Sequence, residues 1–165
     1  VQPGIRTGLV ELLDVYATIL EFAGLEAPHR HFSRSLLPQV AGETGGYRDA
    51  VVCQGGRRPG EPEASESQSP ASQDPMAWYY PRNCLQLKED PFYHNKGTML
   101  RTREFKYIQR LGEADELYDL QADPREERNV IGESAYSGVL QSLRNRLLEW
   151  YMETGDIVPL KTDPR

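Results

Sequence analysis

Apolar residues recur at helical spacing through residues 8–23, where Leu9, Leu12, Leu13, Tyr16, Ile19, Leu20 and Ala23 line up on one broad face. Thr7 stands in position to cap such a helix, and Gly24 sits where a left-handed residue closes one. Val10, Val15 and Phe22 widen the stripe until little of the helix is left polar. A helix this apolar calls for burial on more than one side. Residues 24–48 then pass through turn chemistry, with Pro28, Pro38, Gly42, Gly45 and Gly46.

The pattern changes to short β segments after that. Asp49–Gln54 is one strand; 98–110 supplies two strands, or one bent strand; 115–120 supplies another. Asp123-Pro124 makes a turn, and Ser134 is placed to cap a second helix over about 135–154. Tyr136, Leu140, Leu143, Leu147, Trp150 and Tyr151 share its apolar face, and Gly155 ends it. Two prolines keep the tail 156–165 extended. The expected fold class is α+β, a small antiparallel sheet of about four strands packed by a long C-terminal helix. Such a sheet is too small to cover the first helix as well.

Composition adjusts this picture in three places. Residues 57–75 lack any large apolar side chain and read as a mobile loop, ahead of the aromatic cluster Trp78-Tyr79-Tyr80. Net charge is −6 with no dense Lys/Arg block, which argues against a nucleic-acid partner. No apolar run approaches the roughly 20 residues needed to span a bilayer, so no membrane partner is expected. Cys53 and Cys84 have no metal-ligand spacing around them, and Cys53, inside a strand, reads as a buried inert thiol.

Three blocks carry a family likeness. Leu9-Val-Glu-Leu-Leu-Asp-Val-Tyr-Ala-Thr-Ile-Leu-Glu-Phe-Ala-Gly24 continues to Ser35-Leu-Leu-Pro38. Thr98–Arg110 leads into Glu116-Leu-Tyr-Asp-Leu-Gln-Ala-Asp-Pro-Arg-Glu-Glu-Arg-Asn129. Leu148-Glu-Trp-Tyr-Met-Glu-Thr-Gly-Asp-Ile-Val-Pro159 precedes Asp163-Pro-Arg165. In this order the blocks resemble the C-terminal portion of sulfatases, in the alkaline-phosphatase-like superfamily; Ala17 replaces the proline usual before Thr18. The resemblance implies that residues 1–45 close the α/β catalytic domain of a sulfatase and that 46–165 form its antiparallel-sheet subdomain. It further implies a sulfuric ester hydrolase that uses calcium and formylglycine, with a sulfated small molecule or carbohydrate as substrate. A periplasmic or secreted enzyme is compatible with it.

The chemistry itself is missing from these residues. The family's nucleophile lies in a Cys/Ser-x-Pro-x-Arg motif, but Cys53 is followed by Gln-Gly-Gly and Cys84 by Leu-Gln-Leu, and no serine begins the motif. There is no Asp-Asp pair to hold calcium. The expectation is therefore no catalytic residue, metal site or cofactor in this chain, and dependence on a missing N-terminal catalytic part.

What remains is substrate lining. His94 and Lys96, in a loop of the kind that reaches over the cleft in family members, and Arg101 in the next strand are candidates to bind an anionic or hydroxyl group by charge-assisted hydrogen bonds. The tail from Asp156 could fold over the same cleft. His29-Arg-His31 reads as surface loop, Tyr107, Leu117 and Tyr118 as core, and Asp119 and Asp123 as turn-forming carboxylates. Two other functions stay open: a stand-alone binding or assembly module, and part of a phosphate or phosphonate ester hydrolase of the same superfamily. The first helix separates the module from the enzyme part, because a self-contained module would turn a polar face outward there.

Overall fold

The computed structural model describes residues 3–44, 47–58 and 95–156. The elements run α1 (Asp14–Ala23), α2 (Leu37–Ala41), β1 (Val51–Gly55), β2 (Gly97–Arg101), β3 (Phe105–Arg110), β4 (Glu116–Asp119), a 3-10 turn (Ser134–Tyr136) and α3 (Ser137–Thr154). The fold is α+β, with one antiparallel sheet in the order β1-β2-β3-β4 and a long helix near the C-terminal end. The expected loop 57–75 from residue 59 onward, the Trp78-Tyr79-Tyr80 cluster, Cys84, His94 and the tail beyond Asp156 lie outside the described residues.

Two compact units divide the chain: 1–53, 100–107 and 116–165 in the first, 54–99 and 108–115 in the second. The first holds the hydrophobic core. Leu100, Tyr107, Leu117 and Val130 meet Leu143 and Leu147 of α3, with Phe105, Tyr136 and Leu140 packed around them. Burying each of these large side chains is worth about 1.5–3 kcal/mol. The fully buried Tyr107 keeps its hydroxyl satisfied, because Arg144 donates to it at 3.2 Å.

Turn chemistry sets the hairpins. Between β2 and β3, the Thr102 hydroxyl accepts the N–H groups of Glu104 (3.2 Å) and Phe105 (2.9 Å). In the second unit, Gly112 adopts a φ of 77°, a region a side chain disfavours, and Asp115 accepts the Arg110 N–H at 3.1 Å. After β4 the chain wires itself locally. Asp119 accepts from the N–H groups of Gln121 and Ala122, Asp123 from that of Arg128, and Asn129 from those of Leu117 and Ile131. Asp119 and Asp123 thus make turns, as the spacing predicts.

Four expectations need correction. The first helix begins at Asp14 rather than residue 8, and Thr7 does not cap it. The Asp14 carboxylate accepts the Glu11 N–H at 2.9 Å across a turn at residues 12–13, and residues 8–13 lead into the helix. Ser134 gives no side-chain cap; a 3-10 turn precedes α3 instead. Cys53 is exposed: β1 is buried at Val51 and half-buried at Val52, which packs against the core, and from Cys53 onward the strand is exposed. Tyr118 is half-buried, its hydroxyl donating to Glu116 and the Lys106 ammonium lying over its ring. Gly24, by contrast, closes α1 with a φ of 65°, as its position implies.

Candidate functional site

The most organised polar cluster among the described residues lies in the first unit, between residues 11 and 48. Asp14 has no exposed surface. One carboxylate oxygen accepts from the Arg34 N–H at 2.8 Å and from an Arg48 terminal nitrogen; the other accepts from the Glu11 N–H and from Arg48 Nε at 3.2 Å. Arg48 donates further to the Phe32 carbonyl at 3.0 Å and pairs with Glu11 at 3.4 Å. Burial alone would raise the Asp14 pKa, but these hydrogen bonds outweigh it and hold the carboxyl below the usual aspartate range. Arg48 is likewise held above the ordinary arginine value: burial opposes its charge, and the bond to Asp14 together with the Glu11 and Asp14 charges outweighs it.

Thr18 adds a second stitch, donating to the Asp14 carbonyl at 2.6 Å and accepting from the Leu36 N–H at 2.8 Å. Sequence reading missed this cluster. Its signal was an aspartate inside an apolar helix stripe, but its partner lies 34 positions on, and nothing local pairs them.

The same residues carry their apolar side chains outward. Leu12 is 89% exposed, Phe22 82% and Ile19 60%, and Ile5, Val10, Leu13, Val15 and Leu25 are also exposed. Three buried side-chain atoms have no hydrogen-bond partner among the described residues: Arg6 Nε, Gln39 Oε1 and the Tyr47 hydroxyl.

The predicted binding residues fall elsewhere. Lys96 is exposed just before β2; its N–H donates to the Asn95 side chain at 2.9 Å and its carbonyl accepts from Leu111 at 2.8 Å. Arg101 is exposed at the last position of β2. The two bracket one strand rather than converge on a point, and His94 lies outside the described residues. His29 and His31 are exposed, their rings set against Tyr16.

Among the described residues no group of three or more His, Cys, Asp or Glu could hold a metal ion, so the calcium implied by the resemblance finds no ligand set in them. The one fully buried acid, Asp14, is already saturated by Arg48 and backbone donors. No described helix is long and apolar enough to cross a membrane.

Comparison with known proteins supplies what the geometry lacks. No family model matches the sequence. The chain is 27% identical over 154 residues to the multifunctional alkaline phosphatase superfamily protein PehA of Trinickia caryophylli, covering 92% of this chain and 26% of that protein. It is 27% identical over 151 residues to an N-acetylglucosamine-6-O-sulfatase of Bacteroides thetaiotaomicron, covering 89% of this chain and 22% of the relative. Its fold matches the phosphonate monoester hydrolase of Agrobacterium radiobacter with a TM-score of 0.63 at 20% identity, over 94% of this chain and 30% of that structure. The chain spans about a quarter of the length of the curated relatives it matches. It is a homologue of one portion of alkaline phosphatase superfamily proteins, a sulfatase among them.

Proposed function

We propose that this chain is the C-terminal part of a sulfatase-type ester hydrolase, completing the fold and lining the substrate cleft. On this reading residues 1–45 end the α/β catalytic domain and 46–165 form the sheet subdomain. His94, Lys96 and Arg101 face the substrate side, and the nucleophile and calcium ligands belong to the preceding part of the enzyme. The substrate class is a sulfate ester, with sulfated carbohydrate first in line because of the N-acetylglucosamine-6-O-sulfatase likeness. The observation that carries the reading is the outward apolar face of α1. Exposed large apolar side chains, in a segment with buried polar atoms that have no partner among the described residues, suit a helix that belongs to a larger interior. It speaks against a self-contained binding module.

A second reading, cleavage of a phosphonate monoester, has its own support in the likeness to the Agrobacterium radiobacter hydrolase. Both chemistries place negative charge on oxygens around a tetrahedral centre. Exposed cations at the mouth of the cleft would serve either.

The test begins with the 165-residue chain alone, assayed with calcium on an aryl sulfate and on an aryl phosphonate ester. No turnover of either is expected, and turnover above background would overturn the assignment. A dilution-stable monomer in sedimentation, with a cooperative melt, would support the module instead. In the enzyme assembled with its preceding segment, relative kcat/KM on the two esters chooses between the chemistries. There Lys96→Ala and Arg101→Ala should raise KM by about tenfold each, the worth of one charge-assisted hydrogen bond.

A further inference from the structure

We infer that residues 3–49 open and close as a unit of their own, with the Asp14–Arg48 ion pair as the latch that holds the unit shut. The inference does not depend on the hydrolase reading.

What holds this segment together is polar. Four donors converge on the Asp14 carboxylate from three separate stretches of chain, at Glu11, Arg34 and Arg48. Thr18 ties α1 to Leu36 beside them. Apolar packing contributes little: Ala17 is the one buried apolar residue of α1, and α2 buries none. Among the described residues, the core cluster around Leu100, Tyr107 and Leu117 has no member before Ala50. The segment joins the rest through the Val52 N–H, which donates to Glu11 at 2.8 Å, and through Arg146, which pairs with the largely exposed Asp49 at 2.6 Å.

This construction separates two cooperative units. Removing either member of a buried ion pair strands the other charge without a partner, which is strongly unfavourable. That penalty falls on the segment whose stretches the pair joins. The core, closed by Leu100, Tyr107, Leu117, Leu143 and Leu147, shares none of those contacts. Units held by different interactions open at different free energies. The charged and titratable groups facing Asp14 are Arg48, Glu11 and the Tyr47 hydroxyl, and the carboxyl is held below its ordinary range. The latch therefore stays ionised at neutral pH.

Amide hydrogen exchange on the 165-residue chain tests this, comparing the native sequence with Asp14→Asn and Glu11→Gln. In Asp14→Asn, the amides of α1 and of Leu36 should exchange about a hundredfold faster, while those of β3 and α3 stay within about twofold of native rates. Glu11→Gln should give the same pattern at smaller amplitude. Equal acceleration in α1 and α3 would overturn the inference, and so would unchanged rates in α1. Failure of Asp14→Asn to fold would overturn it too, since the core would then need the latch.

Discussion

In the core, Leu100, Tyr107 and Leu117 meet Leu143 and Leu147, and charged groups stay outside; in residues 3–49 the centre is Asp14 and Arg48, and Leu12, Ile19 and Phe22 face outward. The two regions use the same kinds of residue in opposite places. The core follows the usual sorting. On the function proposed above, the N-terminal segment buries its outer face against the rest of the hydrolase. Its own stretches then need something other than apolar contact to hold their shape, and the ion pair with its backbone donors supplies that.

The sharpest way to break this contrast is to cut equivalent side chains from both sides. Leu147→Ala should destabilise the chain by about 2–5 kcal/mol in urea unfolding, because a fully packed core position leaves a cavity. A loss under about 1 kcal/mol would mean that the core is not where the stability lies.

Acid provides the next test, and it acts on the other region. The Asp14 pKa is lower in the folded state than in the unfolded chain. Its contribution is therefore present above the unfolded value, near 4, and disappears as pH falls through the folded value. Protection of the α1 amides in pulsed exchange should hold from pH 7 to about 4 and fall below that. Loss of α1 protection near pH 6 would point to a different titrating group.

A smaller effect is expected in the turn after β4. Asn129→Ala removes the acceptor for the Leu117 and Ile131 N–H groups and should cost about 1–2 kcal/mol. Smallest of all, Leu12→Ser and Phe22→Ser should change the stability of the isolated chain by no more than about 0.5 kcal/mol, since both side chains already stand in solvent. Their effect should appear in sedimentation as weaker self-association. A large stability loss from either would show that α1 is packed in solution, and the contrast would fail.

Much of the core was legible in the sequence. The period of Leu140, Leu143, Leu147 and Tyr151 marks one side of α3, and the alternation through 98–110 marks a hairpin, because both patterns are local. Gly24 was readable for the same reason: a helix stop depends on one residue's backbone freedom. The start of α1 was not. There the first helical side chain, Asp14, captures the N–H of Glu11 three positions before it, a bond the apolar period running back to Leu9 does not register. Nor could local pattern pair Asp14 with Arg48, or show that burial along β1 ends at Val52 and leaves Cys53 exposed. Of the candidate binding residues, spacing placed Lys96 ahead of a strand and Arg101 within the 98–110 run, without showing what either binds.

The Asp14–Arg48 centre has a thermal consequence. Unfolding the core uncovers apolar surface, which gives a large positive heat-capacity change and a domed stability curve. Opening residues 3–49 uncovers mostly charge and backbone, since their large apolar side chains are already wet, so its heat-capacity change is small and its curve nearly straight. Cooling weakens hydrophobic packing while the ion pair is little affected. Toward the freezing point the sheet and α3 should lose stability while the segment before them keeps its own.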